Sequence, residues 1–100
     1  MQQFFDLYKV SSKHLKEKFP NIKVGGYGSC GVYAAYLEGL SDFYKSFLVW
    51  LDEFLIFCKK ENCPLDFYSW HIYADKIEDL IASANYVRER LDKFGFNSTE

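Results

Sequence analysis

Asp66-Phe67-Tyr68-Ser69-Trp70-His71-Ile72-Tyr73 carries an alternation that points to one architecture for this chain. Side chains alternate along a strand, so Phe67, Ser69, His71 and Tyr73 share one face. Tyr68 and Trp70 take the other, toward a helix layer. With Leu65 included, the pattern predicts a strand over residues 65–71. A lone histidine is usually a satisfied packing residue. Here His71 and Tyr73 fall on the inward face at the C-terminal end of a strand. That is where α/β barrels keep their active sites, and it turns the reading toward a binding role.

Long amphipathic helices flank this strand. Phe4, Leu7, Tyr8, Ser11 and Leu15 recur at helical spacing and predict a helix over residues 3–18, stopped by Pro20. Asn21 then turns the chain into a short strand, Ile22-Lys23-Val24, followed by a glycine-rich loop from Gly25 to Gly31. Ser41 is a plausible N-cap for a second helix over residues 42–60. Its apolar stripe is Phe43, Phe47, Trp50, Leu51, Phe54, Leu55 and Cys58. Asn62-Cys63-Pro64 breaks it. Ile77, Leu80, Ile81, Ala84, Val87 and Leu91 predict a third helix over residues 76–93. Asp75 and Glu78 resemble a capping box, and Gly95 sits where a left-handed cap belongs. Residues 96–100 read as the approach to a further strand. Strands separated by such helices mean βαβ units and a parallel sheet. Two parallel strands do not make a stable sheet, so the pattern suggests part of a larger α/β domain.

One hundred residues hold one domain at most. Twelve basic against 14 acidic residues argue against a dedicated nucleic-acid binder. The apolar content of 49% argues against disorder. No run of 18 uncharged apolar residues exists, so no membrane span is expected. Three cysteines form no disulfide framework, and the N-terminus lacks a basic region followed by an apolar run. Both favour a reducing, cytoplasmic setting. The aromatic share of 20% is large for so small a domain. The rings either face a ligand or belong to a core larger than this chain makes.

Gly26-x-Gly28-x-x-Gly31 matches the dinucleotide fingerprint and follows a strand. The helix, however, starts about ten residues later than a pyrophosphate-binding helix would. The acidic residue at the end of the next strand is also missing. A glycine-rich connecting loop is the simpler reading. Cys58-x4-Cys63 with His14 or His71 lacks the close-spaced pairs of structural zinc motifs, so buried cysteines are expected and no metal is assigned. Cys30 has no histidine at a known distance and is not a nucleophile candidate.

Three passages together resemble family 39 glycoside hydrolases: the run from Leu15-Lys16-Glu17-Lys18-Phe19-Pro20 to Lys23-Val24-Gly25-Gly26; Phe54-Leu55-x-Phe57-Cys58 with Pro64-Leu65-Asp66-Phe67-x-Ser69-x-His71-x-Tyr73; and Leu91-x-x-Phe94-Gly95-Phe96-x-x-Thr99-Glu100. The Asp-Phe-x-Ser-x-His-x-Tyr stretch is the specific part. Tyr27 stands where the family often has a proline after the double glycine.

That resemblance implies a fragment of a (β/α)8 TIM barrel. A full barrel takes about 250 residues. Residues 1–100 would supply about two βα units, resembling strands five and six. The family is similar to β-xylosidases and α-L-iduronidases, which hydrolyse O-glycosidic bonds with retention. His71 and Tyr73 then match residues near the sugar, hydrogen-bonding its hydroxyls or the nucleophile, and Tyr27 is a further candidate at the same mouth. Retention needs an acid/base and a nucleophile about 5–5.5 Å apart. The resemblance implies that both glutamates fall outside these residues, with Glu100 matching the residue that opens strand seven. The isolated chain is therefore expected to be inactive and marginally stable, with no cofactor and no dedicated protein partner. Its ligand would be a carbohydrate bound in the full barrel. The alternative is a stand-alone, non-catalytic α/β module that binds sugar or protein.

Overall fold

Three helices form where the periodicity places them: α1 (Gln2–Lys18), α2 (Asp42–Lys60) and α3 (Ile77–Lys93). A 3₁₀ turn at Val32–Ala35 lies between α1 and α2. The computed structural model describes every residue, Met1–Glu100. Lys16 and Lys18 in the last turn of α1 complement its dipole. Pro20 drives Phe19 out of the helical region, to φ −134°, and the helix ends there.

α2 and α3 stop by one device. Asn62 adopts φ 54° after α2, and Gly95 adopts φ 87° after α3. Cys63 N then reaches back to Cys58 O at 2.9 Å, and Phe96 N to Leu91 O at 2.8 Å. These are the long-range bonds of Schellman caps, which satisfy carbonyls that a helix end leaves open. The capping box expected at Asp75 does not form. α3 starts one residue later, with Lys76 as its N-cap and no side-chain cap bond.

The helices bury one shared core. Phe5 from α1, Leu51, Phe54, Leu55 and Cys58 from α2, and Val87 and Leu91 from α3 meet Leu65 and Tyr68. The face of α1 is turned by one residue from the sequence expectation: Phe5 and Ser12 are buried, while Leu7 is exposed. On α3, Ile77, Leu80 and Ile81 lie open although they continue the buried stripe. Trp70 reaches the helix layer, its indole N–H donating to Ser83 Oγ at 3.3 Å.

The strands expected over residues 22–24 and 65–71 are not regular strands. The chain is mostly helical, and pairing is confined to isolated parallel bridges, Gly25 with Phe67 and Ser29 with Trp70. Glu100 N donates to Asp66 O at 2.9 Å, and Tyr68 N to Glu100 O at 2.8 Å, the parallel pattern around Phe67. Residues 25–29 thus lie parallel to residues 67–70, and Glu100 bonds to the other side of residues 66–68. A ladder this short has few neighbours to extend it, which is why the pairing stays local. All three helices pack on one side of it. The opposite side carries Phe67, Ser69 and His71, all exposed. No helix is long and apolar enough to cross a membrane.

Candidate functional site

The alternation read from the sequence holds in residues 67–73. Tyr68 is buried, and Trp70 and Ile72 are half-buried; Phe67, Ser69, His71 and Tyr73 are exposed. His71 is tied to the neighbouring segment by its backbone. Its N–H donates to Ser29 O at 2.7 Å, and Ser29 N–H donates to Ser69 O at 3.2 Å. Tyr73 is 93% exposed beyond the last bridge, so no partner in this chain holds its ring.

The neighbouring segment does not alternate evenly. From Gly25 to Ser29 is four steps, while the partner positions Phe67 and Trp70 are three steps apart. One residue is extra, which is the signature of a β-bulge. Its effect is visible in what each residue meets. Gly25 faces Phe67, Gly26 faces Phe54 in the core, and Gly28 faces His71. Tyr27 follows Gly26 to the helix side. It packs against Phe4, Trp50, Phe54 and Tyr68, with centroid separations of 5.2–6.1 Å.

The structure therefore brings His71 and Ser69 together over Gly28 and places Tyr27 behind them, in the helix layer. Sequence reasoning left out Gly28 and Ser69. The strand pattern already put Ser69 on the His71 face; Gly28 had no comparable signal.

Tyr27, Ser29 and Tyr68 gather three buried hydroxyls on the helix side. Burial pushes the Tyr68 phenol up to about 12 and raises that of Tyr27 as well. All three stay protonated at neutral pH. A cleft of about 400 Å³ opens beside this layer, between the glycine segment and the start of α2, lined mainly by Tyr27, Cys30, Phe43, Phe47 and Trp50.

The glycine fingerprint serves packing here. The space above Gly25, Gly26, Gly28 and Gly31 is filled by Phe67, Phe54, His71 and Phe47, respectively. Gly31, at φ 73°, leads into a four-residue 3₁₀ turn rather than a phosphate-cradling α-helix. Cys58 and Cys63 are buried and Cys30 is exposed.

Charge collects at the opposite end, where the extended segments begin. Lys16 Nζ pairs with Asp66 at 2.8 Å, and Lys23 Nζ with Glu100 at 2.6 Å. Asp66 also accepts the Val24 N–H at 2.9 Å. The Lys16 ammonium, with that N–H, holds the Asp66 carboxyl below its ordinary range. This end ties the segments together; His71 and Tyr73 leave from the other.

The model of glycosyl hydrolases family 39 matches residues 1–94. The chain belongs to glycosyl hydrolase family 39. It is 33% identical over 75 residues to a β-xylosidase of Geobacillus stearothermophilus, covering 75% of this chain and 12% of that one. A crystal structure of a glucosidase from Croceicoccus marinus superposes with a TM-score of 0.79 at 31% identity, covering 99% of this chain and 19% of that one. The chain thus spans less than a fifth of the length of each of these two proteins. The family resemblance read from the sequence is shown, and with it a glycoside hydrolase origin.

Proposed function

We propose that residues 1–100 are a segment of the (β/α)8 barrel of a retaining glycoside hydrolase, about two βα units that supply part of the wall of a carbohydrate site. The observation that carries this reading is the exposed face holding Phe67, Ser69 and His71, opposite a helix layer that packs on one side only. Parallel sheets are normally covered on both faces, and a barrel covers the second by closing on itself. The parallel pairing of residues 25–29 with 67–70, flanked on the far side by Glu100, supports the same architecture.

In that setting His71 and Tyr73 leave the C-terminal end of their segment into the barrel mouth, where the imidazole and phenol hydrogen-bond sugar hydroxyls. Tyr27 supports the mouth from behind through its packing on Tyr68. The acid/base and nucleophile glutamates belong to other strands, so this chain positions substrate and does not cleave it. Two-carboxylate chemistry of this kind requires no cofactor.

Two measurements test this. Purified chain incubated with an aryl β-xyloside should release no phenol; turnover would overturn the proposal. The source DNA on either side of this reading frame should continue in frame, encoding an Asn-Glu pair upstream and a strand ending in Glu shortly after Glu100. Start and stop signals bounding these 100 codons would instead favour a stand-alone binding module.

A further inference from the structure

We propose that Gly28 is a positioning residue for His71: the bulge at Gly26–Tyr27 sets a bare backbone beneath the imidazole and so fixes where its Nε2 lies. A Cβ on Gly28 would stand 2.9 Å from His71 Nε2 and 3.5 Å from Cδ2. The first distance is below van der Waals contact, so a methyl group there moves the ring. Ser69 Oγ, at 3.9 Å from the same point, completes the surround. The two backbone bonds between Ser29 and residues 69 and 71 hold the platform and the ring's own backbone in one register.

Conformation does not explain this glycine. Gly31, Gly39 and Gly95 have positive φ and Gly28 does not, so its backbone suits any residue. What it supplies is space. The clash also falls on the far end of a side chain rather than on backbone. An added methyl therefore displaces the ring and leaves the fold in place. Gly26 differs, because its neighbour Phe54 is fully buried. The functional meaning of this seat rests on the carbohydrate reading above; the contact itself does not.

The test is NMR of the isotopically labelled chain. The wild-type chain should show nuclear Overhauser contacts between His71 ring protons and the Gly28 Hα protons. In Gly28→Ala the His71 ring resonances should move, while the Trp70 indole signal, anchored on Ser83, stays. A double-mutant cycle in urea supplies the second readout. Because only the ring has to move, any midpoint penalty of G28A should be small beside His71 and smaller still in the H71A background. If G28A alone does not fold, G28A/H71A should recover folding. Unmoved ring resonances, an equal G28A penalty with and without the imidazole, or no recovery in the double variant would each overturn the proposal. A xylose titration read at His71 separates the two ideas. A silent titration beside an intact Gly28–His71 contact counts against the carbohydrate reading and leaves the seat standing.

Discussion

Arg90 on α3 forks onto Asp52 on α2, its Nε donating to Oδ1 at 2.8 Å and a second guanidinium nitrogen donating to Oδ2. The Tyr86 and Phe94 rings flank the guanidinium at 5.9 and 5.4 Å. With side chains only 17% and 29% exposed, the pair is screened less than a surface pair. Arg90→Ala strands a half-buried carboxylate and should lower unfolding free energy by about 1–3 kcal/mol. Arg90→Lys keeps the charge, loses the fork and should fall between. Urea unfolding of the three chains checks the order.

Asp66 gives the chain an acid-sensitive end. Its folded pKa is lowered, chiefly by the hydrogen bond from Lys16. The stability it contributes is therefore complete above the unfolded carboxylate value of about 3.9 and is lost as pH falls through the lower folded value. Below about pH 4 the urea midpoint of the wild-type chain should drop faster than that of Asp66→Asn, which starts lower at neutral pH. Parallel slopes for the two chains would remove Asp66 from this role.

Two glycines should fail in different ways. A methyl group on Gly26 collides with the fully buried Phe54 ring, so Gly26→Ala should cost about 1–3 kcal/mol through overpacking. Gly39 has open space around it and a φ of 77°. Gly39→Ala should cost about 1 kcal/mol through left-handed strain alone, and Gly39→Asn should cost less. Thermal melts of the three variants separate crowding from conformation.

Thiol reactivity should divide the cysteines. Cys58 is fully buried, and burial raises its thiol pKa, which removes thiolate. Cys30 is exposed. A colorimetric disulfide reagent should titrate one thiol rapidly in the native chain and all three in denaturant. Cys30→Ser should abolish the fast phase. A fast phase that survives would place Cys58 or Cys63 in solvent contact.

The parts of this molecule legible in its sequence are those where side chains report their own periodicity. The three helices and the two faces of residues 67–71 belong there, because large apolar and polar residues mark each face. The face of α1 differs by one position from its periodicity because Phe4 and Phe5, adjacent rings, fit either stripe. The bulge was invisible for a different reason. Gly25, Gly26 and Gly28 carry no side chain, so the segment has no alternation to read and Tyr27 is the only marker of its facing. One extra residue sends that marker to the helix side and brings Gly28 under His71. Ile77, Leu80 and Ile81 carry the spacing of a core stripe, yet the packing of this chain leaves them exposed.

The pairing of successive parallel segments sets a constraint on how this chain reaches its structure in time. Val24 and Asp66, which bond across the first pair, are 42 residues apart, and α2 fills much of that gap. Closing so long a loop costs entropy before any ladder bond returns it. Helices form on microsecond scales from local contacts alone. α2 therefore acts as a splint that shortens the search, and the segment ladder should lag behind it. A substitution that weakens α2 without touching the ladder should slow refolding, whereas loss of the Lys23–Glu100 pair at the late-forming edge should chiefly speed unfolding.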